Sequence, residues 1–140
     1  MPDKLLFLLS KVQSRLSTHL KREFRKKGIA LSPGQIGILF VLERDGQTTM
    51  GHLSQRLDID NAAISRLVDK LEKQNLVERQ INPEDRRQML IAAKEAGLNR
   101  AEEAKKIANA TNSRIKEGFT EKEITIYKRV NRAILEKFLK

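Results

Sequence analysis

Residues 58–87 read DIDNAAISRLVDKLEKQNLVERQINPEDRR, and the arrangement of the whole chain turns on this stretch. Asp60 or Asn61 can accept a hydrogen bond from the unpaired amides of a first helical turn, so a helix starts here. Ile64, Leu67, Val68 and Leu71 follow at helical spacing and form one apolar stripe. Asn61, Ala62, Ala63, Ser65, Arg66 and Lys70 lie off that stripe. They are small, polar or basic, which suits a helix face that enters the major groove of DNA. Asn75 tolerates the left-handed conformation of a helix C-cap and marks the stop. Leu76 to Ile81 then reads as a strand, Asn82-Pro83-Glu84-Asp85 as a turn, and Gln88 to Ile91 as a returning strand. A helix followed by a hairpin with a charged tip is the plan of a winged helix. The expected fold is mainly α, with a small β-hairpin wing.

Upstream, Asp58-Ile59-Asp60 is short enough to be the turn of a helix-turn-helix. Thr48 or Thr49 caps a brief helix that reaches Leu57. That helix is the brace, and the Ala62 to Gln74 helix is the reader. Leu53, Leu57 and Ile59 are expected to pack against Ile64 and Leu67. Ser32-Pro33-Gly34-Gln35 is a strong helix start, with Ser32 as cap, Pro33 at the first position and Gln35 closing a capping box. Ile36, Leu39, Phe40 and Leu42 supply its buried stripe, and Gly46 ends it. Before it, residues 3–27 read as one helix with Leu5, Leu8, Leu9, Val12, Leu16, Leu20 and Phe24 at helical spacing. Leu6 and Phe7 widen the apolar face beyond what one neighbouring helix covers. Gly28 stops this helix, and Lys21, Arg22, Arg25, Lys26 and Lys27 complement the negative end of its dipole.

Downstream, residues 93–116 read as a long helix with Ala101, Ala104, Ile107, Ala108, Thr111 and Ile115 on one face. Gly118-Phe119 breaks it, and Thr120 with Glu123 forms a second capping box. The last helix carries Ile124, Tyr127, Val130, Ile134, Leu135, Phe138 and Leu139. The first, fifth and sixth helices are therefore apolar at positions remote from the helix-turn-helix. They need a shared core, either a helical cap within one chain or the interface of a homodimer.

The 140 residues suit one compact unit with helical extensions. A formal net charge of +10 and a pI near 10.1 favour a polyanionic partner. With aromatics at only 4%, the core must be filled by Leu, Ile, Val and Ala. The absence of Cys excludes disulfides and thiolate metal sites and fits a reducing cytoplasm. Leu5 to Leu9 after Lys4 imitates a signal peptide but is too short and lacks a cleavage site. No segment approaches the ~20 apolar residues that span a bilayer, so no membrane association is expected. Phosphate-binding, dinucleotide, nucleophile-elbow and zinc-protease motifs are all missing. The two histidines, His19 and His52, sit on different helices and do not make a metal site. No catalytic residue, cofactor or metal is expected, and the chain is not read as an enzyme.

The stretch LVDKLEKQNLVERQINPEDRRQMLIAAKEAG resembles the recognition helix and wing of the MarR family of bacterial transcription regulators. Leu76-Val77-Glu78-Arg79, Asp85-Arg86-Arg87 and Gly97 match the family pattern. Two positions depart from it. Asn75 stands where a Gly is usual, and Ala93 where a Thr usually caps the following helix. The resemblance covers essentially the whole chain. It implies a single unit over residues 1–140, with a winged helix-turn-helix over 32–92 and a helical dimerisation part over 1–28 and 94–140. It also implies a homodimer that binds a palindromic operator on double-stranded DNA, most often as a repressor released by a small aromatic or anionic effector. The matching effector cleft would lie near Arg15, His19 and Phe40.

From the residues themselves, Arg66 has the reach for a guanine, while Asn61 and Ser65 offer shorter donors and acceptors. Ala62 and Ala63 allow close approach or contact a thymine methyl. Arg86 and Arg87 stand at the wing tip, where a narrow minor groove focuses negative potential. Asp85 is read as the orienter of one of these arginines, because a bare carboxylate is repelled by DNA; Lys70 supplies a phosphate contact. Two rivals remain. One is a sequence-indifferent architectural DNA-binding protein, and the other is a helical interaction module that binds no nucleic acid.

Overall fold

A computed structural model describes residues 3–138. Leu139, on the expected apolar face of the last helix, lies outside the described residues. The elements in chain order are α1 (Leu5–Lys26), α2 (Pro33–Asp45), β1 (Thr48–Thr49), α3 (Met50–Leu57), α4 (Asn61–Lys73), β2 (Val77–Ile81), β3 (Met89–Ala93), α5 (Glu95–Lys116) and α6 (Glu121–Lys137). The chain divides into two compact units, residues 1–107 and residues 108–140.

The first unit holds the helix-turn-helix, the wing, α1 and the start of α5. Its helix starts follow from local chemistry. Ser32 Oγ accepts from Gln35 N while Gln35 Oε1 accepts from Ser32 N, so two otherwise unpaired amides are satisfied at the head of α2. Thr49 Oγ1 accepts from His52 N at α3, and Asp60 Oδ1 accepts from Ala63 N at α4. The link between α3 and α4 turns sharply because Asp58 adopts φ 54°, a left-handed conformation that Asp accepts more readily than most residues. Ser54 Oγ then donates to Ile59 O, which pins the link to the end of α3. Asn75, at φ 61°, makes the corresponding left-handed exit from α4.

Ile36, Ile38, Leu39 and Leu42 of α2, Leu53 of α3, and Ile64, Val68 and Leu71 of α4 meet in one core. Val77 and Ile91 of the wing and Ala101 and Ala104 of α5 close it, and Phe24 and Ile29 anchor the end of α1. Leu57, Ile59, Leu67 and Phe40 are only partly buried and pack against this core. The packing expected of the brace and reader helices is present.

The wing differs from expectation in two ways. Its sheet has three strands in the order β1-β3-β2, all antiparallel. Thr48 and Thr49 pair with Ile91 and Leu90, so they form a strand as well as capping α3. The returning strand also runs two residues further, to Ala93, because Ala92 and Ala93 find Glu78 and Val77 opposite them. The helix expected from Ala93 therefore begins at Glu95. Lys94 N donates to Leu76 O at that junction (2.9 Å), and Gly97 lies so close that a Cβ there would meet Leu76 O at 2.2 Å. The glycine at the head of α5 is thus a packing requirement between α5 and the chain entering β2.

In the second unit α6 starts with the expected capping box. Thr120 N donates to Glu123 Oε1, and Glu123 N donates to Thr120 Oγ1. No described residue of α6 is buried.

Candidate nucleic-acid interface

Helix α4 carries two faces with different fates. Ile64, Val68 and Leu71 are fully buried. Asn61, Ala62, Arg66 and Lys70 are exposed, and Ala63 and Ser65 are half-buried. The cap at Asp60 fixes the first turn of this helix, the part that presents side chains to base edges when a recognition helix docks. The six interface residues expected on the reader helix thus all lie on α4, and none of them forms a side-chain hydrogen bond or ion pair among the described residues.

The wing tip is held by its own short bonds. Asn82 Oδ1 accepts from Glu84 N, and Asp85 O accepts from Gln88 N. Asp85 Oδ1 accepts from both Arg87 N (3.1 Å) and Arg87 Nε (3.3 Å). The orienting carboxylate expected at Asp85 is therefore directed at Arg87, whose side chain is still 91% exposed. Arg86 is exposed and makes no ion pair among the described residues.

One residue that sequence reading passed over joins the two parts. Arg79 of β2 donates from Nη2 to Asp69 Oδ1 (2.5 Å) and from Nη1 to Glu72 Oε1 (2.8 Å), both on α4. Its side chain is only 24% exposed. The bond to Asp69 does most to raise the guanidinium above its ordinary pKa, against the opposing effect of burial. A fork of this kind fixes direction as well as distance and ties the wing to the reader helix.

A second cluster supports the brace helix. His52 Nε2 lies 3.0 Å from Asp45 Oδ2, and Arg56 Nε lies 3.7 Å from the same oxygen. The hydrogen bond with His52 is the largest cause holding the Asp45 carboxyl below its ordinary range, with the nearby Arg56 charge adding to it. His52 is thus engaged by the end of α2. Lys105 of α5 bridges Glu43 of α2 and Glu102, and those bonds, Glu43 first, raise its pKa.

The residues expected around an effector are scattered in character. Arg15 is exposed on α1, His19 is half-buried on α1, and Phe40 is half-buried on α2 against the core. No hydrogen bond or ion pair joins them. A small polar hollow of about 110 Å³ lies elsewhere, lined by Gly28, Ala30, Leu31, Gln74, Leu76 and Arg100. Among the described residues, no three His, Asp or Glu side chains are grouped to hold a metal, and no helix is long and apolar enough to cross a membrane.

A brace helix, a reader helix with a free polar face and a three-stranded wing locked to it define a winged helix-turn-helix protein. A MarR-family model matches residues 30–88 of the chain. It is 27% identical over 95 residues to the HTH-type transcriptional regulator MhqR of Bacillus subtilis, a match that spans 68% of this chain and 64% of that protein. Among solved structures it is similar to CouR from Rhodococcus jostii bound to p-coumaroyl-CoA, with 27% identity, a TM-score of 0.82, and coverage of 94% of this chain and 92% of that one. A mutant MarR from E. coli complexed with operator DNA shares the fold, with a TM-score of 0.83 at 20% identity over 91% of each chain.

Proposed function

We propose that this chain is a sequence-specific transcription regulator that binds a palindromic operator on double-stranded DNA as a homodimer, acting as a repressor in the cytoplasm. The observation that carries the reading is the coupling of a free polar helix face, Asn61 to Lys70, to a wing tip bearing Arg86 and Arg87. The helix supplies base contacts and the wing supplies minor-groove and phosphate contacts. Homodimerisation is supported by apolar side chains left uncovered in a single copy: Leu5, Leu6, Phe7, Leu8 and Val12 on α1, Ile126, Tyr127, Val130 and Leu135 on α6, and Phe138 at its C-cap. The dimerisation part would comprise residues 1–28 and 94–140, around a DNA-binding part at 32–92. A small aromatic or anionic effector beside Arg15, His19 and Phe40 completes the proposal. The similarity to CouR, which its structure holds with an aromatic acyl thioester, supports that chemical class.

The test is selection of bound sequences from a random duplex pool, followed by footprinting at constant salt. Two recognition helices in successive major grooves on one face lie ~34–36 Å apart, so the selected site should be an imperfect palindrome with half-site centres ~10 base pairs apart. Half a turn inserted between the halves should abolish most specific affinity. Replacing Arg86 and Arg87 together with Ala should weaken binding and leave the melting temperature almost unchanged, since both side chains are exposed. Equal binding of every spacer and sequence would instead identify an architectural DNA-binding protein.

A further inference from the structure

The positive charge of this chain does not lie on the part that reads DNA. Residues 32–92 contain 8 Lys and Arg against 9 Asp and Glu, a net of −1. Residues 1–31 contain 8 against 2, and residues 93–140 contain 12 against 7. Within the winged part the balance is tighter still, because Arg56, Arg79 and Arg87 are paired with carboxylates. Affinity for a duplex comes chiefly from neutralised phosphates and released counterions. A reading head with no net positive charge leaves part of that neutralisation to other elements of the chain.

The end of α1 is the densest cationic segment. Lys21, Arg22, Arg25, Lys26 and Lys27 fall within seven residues, and all five are exposed. Among the described residues only Lys26 of these five has an acidic partner, Glu23 at 3.6 Å. The segment is also rigidly placed. Phe24 and Ile29 are 2% exposed and sit in the same core as Ile64, Val68 and Leu71 of α4. Gln74, which caps the C-terminal end of α4, donates to Ala30 O just beyond the cluster (3.4 Å). Helix α4 has 13 residues and is therefore about 20 Å long. The major groove is ~12 Å wide and ~8.5 Å deep. A helix whose first turns touch base edges there carries its last turn out past the phosphate rim, and the cationic end of α1 is fastened beside that last turn.

We propose that the C-terminal end of α1 is a second DNA contact, in which Lys21, Arg22, Arg25 and Lys27 neutralise phosphates of the same duplex that α4 reads. The proposal rests on the DNA-binding reading above. It divides the labour within one body: α4 and the wing carry sequence preference, and α1 carries much of the non-specific affinity.

The experiment compares wild type with a K21Q/R22Q/R25Q/K27Q variant on a selected duplex and on a scrambled duplex from 50 to 300 mM KCl. The slope of log affinity against log salt should become shallower by ~0.9 for each phosphate no longer neutralised, up to ~3.6 for each bound protomer. The ratio of selected to scrambled affinity should stay within about twofold at one salt. Circular dichroism melting checks that the exposed substitutions leave the fold intact. A slope within ~0.9 of wild type, with the fold intact, overturns the proposal. So does an unchanged slope accompanied by loss of binding to phosphatidylglycerol vesicles, which would assign the cluster to a membrane surface. A wild-type chain that binds no duplex at any of these salts overturns the DNA-binding reading as well, so the two failures are distinguishable.

Discussion

Gly97 shows how one missing side chain holds two elements together. A Cβ at this position would lie 2.2 Å from Leu76 O and 3.3 Å from Leu39 Cδ2. The first neighbour is backbone, so no rotamer change relieves the clash. Gly97→Ala is expected to cost on the order of 1–3 kcal/mol, the scale of overpacking a filled core, and to lower the melting temperature by several degrees. Gly51 is the control. It lies in α3, and a Cβ there meets nothing closer than Thr49 Oγ1 at 3.9 Å. Gly51→Ala should be neutral or stabilising by up to ~1 kcal/mol, because Ala loses less backbone entropy on entering a helix. The melting temperature should therefore fall for Gly97→Ala and hold or rise for Gly51→Ala. A Gly97→Ala protein as stable as wild type would show that α5 and the start of β2 can part without cost.

The elements of the reading head are joined by charge as well as by apolar contact. Arg79→Gln removes the fork onto Asp69 and Glu72 while keeping a polar side chain of similar reach. Both carboxylates remain about half-exposed, so the loss should be modest, about 1 kcal/mol. The larger effect is expected in local motion: hydrogen exchange of the β2 and β3 amides should quicken relative to those of α2. Unchanged exchange ratios would mean that the apolar contacts of Val77 and Ile91 alone hold the wing. Much of this head was legible from residue types. Ile64, Val68 and Leu71 follow a helical period, Ser32 announces its cap, and Asn75 announces its left-handed exit. The strand at Thr48–Thr49 was not legible, because a two-residue strand has no period and Thr49 serves as a cap in any case. The extension of β3 to Ala93 was hidden as well, since two alanines fit a helix start equally well and only their partners on β2 decide between the two. For the interface, the helix face and wing tip were readable as surface chemistry. Arg79 was not, because its role depends on how the hairpin folds back on α4.

At the scale of the whole molecule, the apolar side chains of α1 and α6 set the expected assembly. Leu6 is 68% exposed, Leu135 66% and Phe138 77%, more apolar surface than scattered single residues account for. Sedimentation should find a dimer at micromolar concentration, and truncation after Glu123 should give monomer or aggregate. A monomeric intact chain would refute the homodimer. The wing has a different relation to other copies. The order β1-β3-β2 places the longest unbroken pairing inside the sheet and leaves only β1 and β2 at its margins. β1 offers two residues, and β2 offers five with Glu78, Arg79 and Gln80 in the middle. Margins this short or this charged make poor templates for a stray strand. When many copies crowd together, as they do during overproduction, the chains should meet through their helices, and the wing should not seed fibrils.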